Sequence, residues 1–156
     1  MEDEFRIARE KAIVFIGIAQ KSSGKVADFL LRKDISSELV RDVVASLIED
    51  GYIDDYRVAV AAAKKRRGRS AESRQRLSRR LLSLGISEAA AQSCVLDVPS
   101  DEESIWELIS ERLLPERRKM SAEDDDSEWK LWAARFLAGR GYAESLIRRS
   151  LDKAVE

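Results

Sequence analysis

Nine lysines and arginines between positions 64 and 80 are the side chains of this sequence most able to bind a charged partner. A single acid, Glu72, lies among them. Cations of one sign packed this densely repel one another unless they are solvated or meet a polyanion such as a phosphate backbone. We therefore predict contact with a partner through Lys64, Lys65, Arg66, Arg67, Arg69, Arg74, Arg76, Arg79 and Arg80.

The alternative is that this block is only a solvated helical face, although such a face usually carries charges of both signs. The predicted helix here places its leucines toward a core and three arginines on one face, at spacing i, i+3, i+4. These arginines are Arg76, Arg79 and Arg80. No aromatic residue interrupts the block, so its sequence does not indicate base stacking on a single strand.

Catalytic chemistry has little support in the sequence. There is no histidine, which removes the commonest general base and metal ligand. The one cysteine, Cys94, lies on an apolar helical stripe, and no phosphate-binding or dinucleotide-binding glycine motif is present. The paired Asp54 and Asp55 fit a helix cap, and Glu123–Asp126 fits a solvated linker, better than a cation site. We predict no catalytic residue, cofactor or metal, and a protein that is not an enzyme.

Composition indicates a soluble helical protein. Of 156 residues, 37% are charged and 44% hydrophobic, with two prolines and seven glycines. Twelve acids against four bases follow the basic block, between Asp97 and Glu128. No apolar run approaches the ~20 residues of a membrane span, the start of the chain is charged, and one cysteine gives no disulfide framework. We expect a monomer in the reducing cytoplasm, away from membranes.

A pattern that occurs three times indicates how the helices are arranged. Ile35, Ile86 and Tyr142 each follow a short break between two apolar helical stretches, at steps of 51 and 56 residues. Gly85 and Gly141 suit the position after a helix where the backbone is left-handed, and Asp34 occupies this position in the first break. A repeat of this length is typical of arrays of helical units that cannot bury their apolar faces alone.

We predict an all-α fold of tandem three-helix repeats that form an elongated, curved array, with modules at 1–50, 51–99 and 100–156. Ser36, Ser70, Ser87, Asp54 and Ser100 are predicted to cap helices. Pro115 should kink or shorten its helix, and 120–127 is predicted to be a linker. The predicted helices are 4–20, 24–33, 37–50, 55–67, 71–84, 88–97, 101–119, 128–139 and 144–155.

The run from Glu49 to Ser87 resembles the central signature of the RecX family, regulators of the RecA recombinase. Gly51, Asp54, Asp55 and Arg57 match its first part, a glycine before two hydrophobic residues and two aspartates. The second part, a hydrophobic motif that ends in glycine, is matched by Gly68, Leu77, Leu81, Gly85 and Ile86. The resemblance extends to KSSGKVADFLLRKDIS and FLAGRGYAESLIRRSLDK, so that it covers about 12–156.

Val58 and Leu84 depart from the family's usual aromatic and basic residues. The resemblance implies a helical array that binds a RecA–DNA filament and hinders ATP hydrolysis, strand exchange or filament growth, in homologous recombination, DNA repair and the SOS response. RecA, and the DNA phosphates within the filament, would be the partners. Two other classes stay open: a stand-alone helical DNA-binding protein, which would bind duplex with a steep salt dependence, and an adaptor of another complex, which would use an apolar patch.

Overall fold

The protein consists of helices and turns throughout the part of the chain described by its computed structural model, residues 2–120 and 126–156. These ranges contain no strand, and the predicted all-α class is confirmed. All nine predicted helices are present, and a π-helical turn divides the seventh in two. In chain order the elements are α1 (Glu2–Ile16), α2 (Ser23–Arg32), α3 (Ser37–Glu49), α4 (Asp55–Lys64), the 3₁₀ turn Gly68–Ser70, α5 (Arg74–Ser83), α6 (Glu88–Asp97), α7 (Asp101–Leu108), the π turn Ile109–Leu113, α8 (Leu114–Arg117), α9 (Asp126–Gly139) and α10 (Glu144–Ala154).

The three predicted breaks are confirmed. Asp34, Gly85 and Gly141 have φ values of 60°, 84° and 90°, the left-handed conformation expected after a helix. Ser36 and Ser87 then cap the following helices, because each hydroxyl oxygen accepts a hydrogen bond from the backbone N–H three residues later, at 3.3 Å. The chain therefore contains three copies of one helix–break–helix arrangement.

The first helix is shorter than the sequence indicated. It was expected to reach residue 20, but α1 ends at Ile16 because Gly17 turns left-handed, with φ at 58°. The Gly17 N–H still closes the last turn by donating to the Ile13 carbonyl at 3.1 Å. Ala19, which lies within the predicted helix, is exposed beyond this end.

The cap of α5 was also assigned to the wrong serine. Ser70 ends the 3₁₀ turn, where its N–H donates to the Arg67 carbonyl at 3.1 Å. The helix begins at Arg74, and Ser73 is its cap, since the Ser73 hydroxyl oxygen accepts from the Arg76 N–H at 3.1 Å. The 3₁₀ turn therefore delays the helix by one turn relative to the prediction.

The irregularity expected at Pro115 begins one turn before it. A proline inside a helix lacks the N–H for the preceding turn, and its ring crowds the carbonyl four residues earlier. Here the chain widens into the π turn Ile109–Leu113 and resumes as α8 at Leu114. Ile109 and Leu113 stay fully buried, so the wider turn keeps both side chains in the core.

The described residues form two compact units. One unit comprises Met1–Ala62 with Arg80–Cys94, and the other comprises Ala63–Arg79 with Val95–Glu156. The division into modules 1–50, 51–99 and 100–156 stays a prediction. The cores are Ala8, Ala12, Ile16, Val26, Leu30, Val40, Val43, Leu47 and Ile53 in the first unit, and Ala71, Ile105, Leu108, Ile109, Leu113, Trp129, Ala133, Leu137, Tyr142, Ile147 and Leu151 in the second.

A buried serine joins the start of one helix to the break after another in the first unit. The Ser22 hydroxyl donates to the Leu84 carbonyl at 2.7 Å and accepts from the Lys25 N–H at 3.2 Å, so it caps α2 and the end of α5 together. The Gly24 N–H donates to the Gly85 carbonyl at 2.8 Å. A Cβ atom on Gly85 would lie 2.7 Å from the Ser22 hydroxyl oxygen, so only glycine fits.

The second unit repeats this contact, which we call the serine–glycine joint. Ser73 caps α5, and its N–H donates to the Arg140 carbonyl at 3.0 Å. A Cβ on Gly141 would lie 2.7 Å from the Ser73 hydroxyl oxygen. Ser22 and Ser73 are each 1% exposed. Each joint thus satisfies the polar groups of two helix ends in a place that water does not reach.

An aspartate supports each joint. The Asp55 carboxylate accepts from the Ser23 N–H at 2.7 Å and from the Ser87 N–H at 2.8 Å, and also from the Ser23 hydroxyl. In the second unit, Asp101 accepts from the Arg74 N–H at 2.8 Å. A negative charge at a helix N-terminus satisfies its free N–H groups and complements its dipole. Asp55 therefore holds the starts of two helices, α2 and α6.

Replacing Gly85 with alanine should destabilise the protein by about 3 kcal/mol or more, because backbone strain and a clash with Ser22 are combined. The matched control is Gly51→Ala, where φ is 83° and a Cβ would meet nothing within 4 Å. It should cost only the strain, about 1–2 kcal/mol. Urea unfolding of both variants measures the difference. Equal losses would mean that the serine–glycine joint adds no stability.

Candidate nucleic-acid interface

The basic residues lie on the last turn of α4, on the turns that follow it and along α5 as far as its last turn. Lys64 ends α4, the chain turns through Lys65–Arg67, and the 3₁₀ turn carries Arg69. Of the nine residues predicted to contact a partner, all but Arg80 belong to the second unit. We call residues 64–79 the basic segment.

Five cations of the basic segment are available for binding. Their side chains are exposed, and none enters an ion pair or a side-chain hydrogen bond with another described residue. Exposed guanidinium and ammonium groups without an internal anion are suited to phosphate oxygens. Arg66 is half-buried, as is Arg80 beyond the segment. The five available residues are Lys64, Lys65, Arg67, Arg69 and Arg79.

Arg74 is engaged inside the protein. Its guanidinium donates to the Leu96 carbonyl at 3.3 Å and to the Val98 carbonyl, at the end of α6, and its Nε is buried. Carbonyl groups at a helix C-terminus lack internal partners and carry partial negative charge, which a cation offsets. Arg74 therefore stabilises a helix end, a role that the count of charges in the sequence could not reveal.

Arg76 has a similar internal contact, which alters the predicted three-arginine face. Its guanidinium donates to the Gly139 carbonyl at the end of α9, and its Nε lies where a Cβ on Gly141 would approach within 3.0 Å. Of Arg76, Arg79 and Arg80, only Arg79 is both exposed and among the five available cations. The sequence correctly predicted that these arginines lie on one helix, but it did not predict the contacts that each one makes.

Sequence reasoning missed Arg140, which lies against the basic segment. Its guanidinium donates to the Arg69 carbonyl at 2.9 Å and to the Ala71 carbonyl at 3.2 Å. The same group lies over the Phe136 ring, 4.8 Å from its centroid. Trp132, Phe136 and Arg140 recur at every fourth position, so the stripe was visible in the sequence. The fold was needed to show that it adjoins the cations.

In the structure, the side chains that could take part in catalysis are buried or have a structural role. Cys94 is 2% exposed, and Asp54 caps α4 by accepting from the Arg57 N–H at 3.1 Å. Burial, followed by the nearby Asp101 carboxylate, raises the pKa of Tyr142 to about 12. The Tyr142 hydroxyl makes no hydrogen bond of ordinary geometry with another described residue, although Ser104 is close by. Across residues 2–120 and 126–156, no three His, Cys, Asp or Glu side chains gather as a metal site would require.

Only the borders of the predicted linker at 120–127 can be described. Residues 121–125 lie outside the described residues, and with them Glu123, Asp124 and Asp125. Asp126 begins α9 and forms an ion pair with Arg117 at 2.7 Å. Within the described ranges, no helix is both long and apolar enough to cross a bilayer.

No protein-family model matches the chain. It is 24% identical over 149 residues to the regulatory protein RecX of Geobacillus sp. (strain WCH70), which covers 96% of this chain and 54% of that protein. The regulatory protein RecX of Bacillus mycoides (strain KBAB4) is 21% identical over 151 residues, covering 97% and 55%. The chain therefore spans about half the length of these curated relatives.

Solved structures show the same fold. A crystal structure of RecX from Lactobacillus salivarius matches with a TM-score of 0.76 at 15% identity, covering 99% of this chain and 98% of that one. A second crystal structure of regulatory protein RecX matches with a TM-score of 0.69 at 14% identity, covering 97% and 73%. The resemblance drawn from the motifs is confirmed: the sequence is similar to RecX proteins over nearly all of this chain, which has the fold of their crystal structures.

Arg76→Gln should lower the free energy of unfolding by about 1 kcal/mol, since it removes a charge-assisted hydrogen bond from the end of α9. Arg79→Gln, on the same helix, should change it by less than about 0.5 kcal/mol. Chemical denaturation at low and high salt measures both. If the two variants unfold alike, the contact of Arg76 with Gly139 is not a stabilising cap.

Proposed function

We propose that this chain regulates the RecA recombinase, mainly as an inhibitor, by binding the RecA–DNA filament. Binding would modulate the ATPase activity of RecA, strand exchange and filament growth. The observation that carries the proposal is similarity to proteins named regulatory protein RecX over 96–97% of this chain. The resemblance of the segment around Gly51 and Asp55 to the RecX signature supplies the link to RecA.

The internal roles of the signature residues support a binding protein rather than an enzyme. Asp54 and Asp55 accept hydrogen bonds from backbone N–H groups at helix starts, and Gly85 leaves the space that the Ser22 hydroxyl occupies, so these residues maintain the fold. The sequence has no histidine. Recognition is then a matter of surface shape and charge, and we propose that the protein acts as a cytoplasmic monomer without cofactor.

The basic segment would face the DNA phosphates within the filament. Lys64, Lys65, Arg67 and Arg69 are exposed on consecutive turns and are not neutralised by carboxylates of the described chain. Phosphate contacts by such side chains release counterions, and the resulting affinity falls steeply as salt is added. Arg74 and Arg76 would contribute less than the sequence indicated, because both bind helix ends.

These cations also favour a second candidate, a protein that binds duplex DNA without RecA. A surface that uses only phosphate contacts needs no protein partner. It would bind duplex alone, and its effect on RecA would then follow from competition for DNA. Adding excess free DNA to a RecA reaction would relieve such inhibition, whereas inhibition by direct filament binding would persist.

The wild-type protein should inhibit the DNA-dependent ATPase of RecA and sediment with RecA–single-stranded DNA filaments. Glutamine at Lys64, Lys65, Arg67 and Arg69 should raise the concentration needed for half inhibition by about tenfold. It should also lower the salt slope of binding by up to about four units, one for each phosphate that the variant no longer neutralises. The reason is that these four cations are exposed and form no ion pair with a carboxylate in residues 2–120 or 126–156.

A control variant removes the same charges from the first unit. It carries glutamine at Lys11, Lys25, Arg32 and Arg41, two exposed lysines and two exposed arginines, of which Arg32 also donates to the Asp28 carbonyl of its own helix. This variant should inhibit like the wild type. Equally weakened inhibition by the two variants would indicate a general effect of net charge. Unchanged hydrolysis with no co-sedimentation of the wild type would refute RecA regulation.

A further inference from the structure

The surface beside the basic segment carries an exposed tryptophan and a half-buried phenylalanine, whereas the basic segment itself has no aromatic residue. On α9, Leu131 is 54% and Trp132 38% exposed. The Trp132 ring lies 6.5 Å from that of Phe136, at an angle of 33°. Large aromatic residues usually bury most of their area, because leaving it in water is unfavourable. A partly exposed tryptophan next to a second ring is therefore a candidate contact surface.

Two arginines from different segments lie over the same phenylalanine. The Arg112 guanidinium, from the π turn, is 5.0 Å from the Phe136 centroid, and that of Arg140 is 4.8 Å from it. Cations are attracted to the face of an aromatic ring, and a guanidinium is itself a flat surface on which a ring can stack. Arg112, Trp132, Phe136 and Arg140 thus combine flat surfaces with positive charge.

Arg140 connects this cluster to the free cations. Its two hydrogen bonds, to the carbonyls of Arg69 and Ala71, fix the guanidinium between the Phe136 ring and the backbone of the 3₁₀ turn. The Arg69 side chain remains exposed and forms no ion pair with another described residue. The backbone of the turn that carries Arg69 therefore lies next to the guanidinium that covers the Phe136 ring, although 71 positions separate Arg69 from Arg140.

We propose that this arginine–aromatic surface, made of Arg69, Arg112, Trp132, Phe136 and Arg140, binds single-stranded nucleic acid directly. A base stacks on the exposed face of Trp132, and the phosphates follow the positive charge toward Arg140 and Arg69. Stacking on aromatic side chains in a basic surface is the general mode of binding unpaired strands. The strand runs away from Glu128, one turn before Trp132, because that exposed carboxylate repels phosphate.

The partner is an unpaired strand rather than a duplex or an acidic protein. Bases within a duplex are stacked on one another and present only their edges, so they cannot cover Trp132. An acidic peptide would satisfy the arginines but would leave the indole face in contact with water. An unpaired nucleotide offers both a flat ring and an anion within a few ångströms of each other. This inference does not depend on RecA.

The test uses the full chain without RecA and a fluorescein-labelled oligothymidylate of about 20 nucleotides, which is longer than a typical single-strand site. Fluorescence anisotropy at physiological salt should show binding. Trp132→Ala should weaken it by about tenfold or more, because the base can no longer stack on the indole. Trp106→Ala is the matched control, since Trp106 is 46% exposed in the same unit, and it should bind like the wild type.

Tryptophan quenching gives a second readout that does not rely on removing a ring. Addition of oligothymidylate should quench fluorescence in Trp106→Phe but much less in Trp132→Phe, which keeps an aromatic ring in the helix. Circular dichroism should show the same helix content and melting temperature in each variant. A labelled duplex of equal length should bind without sensitivity to Trp132→Ala, through phosphate contacts alone.

The proposal is overturned if the wild type does not bind oligothymidylate, or if the two alanine variants bind it equally weakly. It is also overturned if polyglutamate displaces the strand at an equal concentration of charges, since the surface would then recognise acidic chains in general. Inhibition of RecA by a protein that fails to bind the oligonucleotide would overturn this inference and leave the proposed function standing. A protein that binds the oligonucleotide but does not inhibit RecA would leave this inference standing and overturn the proposed function.

Discussion

The fold depends on a buried serine oxygen that meets a glycine with a left-handed backbone. At each of the two joints, the serine hydroxyl caps the start of one helix. It also occupies the space that a side chain on the glycine after another helix would need. The contact is polar and excluded from water, so each group needs its partner. It is also close, because no Cβ fits between Ser22 and Gly85 or between Ser73 and Gly141. The apolar cores add stability, whereas the joints set which helix end lies beside which break.

The joints also explain which basic residues stabilise the fold and which are exposed on the surface. Lys25 and Arg76 occupy the same position after the capping serine in the two joints. The Arg76 guanidinium reaches the end of α9, while the Lys25 side chain is exposed. Arg74, one residue after Ser73, likewise reaches the end of α6. Arginines close to a joint stabilise helix ends, and cations on the preceding turn are free for a partner.

Much of the fold could be predicted because its signals are local. A serine before a helix, or a glycine after one, has the same physical role wherever it occurs, so Ser36, Ser87, Gly85 and Gly141 were assigned correctly. Ser70 and Ser73 are both plausible caps, and only the 3₁₀ turn decides between them. A local pattern carries no information on which of two nearby serines lies beside a distant glycine.

The candidate site was only partly predictable for the same reason. The basic residues were evident from composition, but the partners of Arg74 and Arg76 lie on other elements, up to 63 positions away. The aromatic rings that complete the arginine–aromatic surface come from α9, far along the chain. The number of charged residues can be counted in the sequence. Which of them are already bound to other groups of the protein can be determined only from the fold.

The span of the serine–glycine joint has a consequence for synthesis on the ribosome. Ser22 and Leu84 are 62 positions apart, so the start of α2 has no joint until α5 and the glycine after it have emerged. Until then α1, α2 and α3 can bury apolar side chains against one another, but the buried hydroxyl of Ser22 lacks its carbonyl. Contacts between distant positions form late because closing the intervening loop is entropically costly. The polar contacts of the nascent first unit therefore stay incomplete until α5 and the glycine after it have emerged.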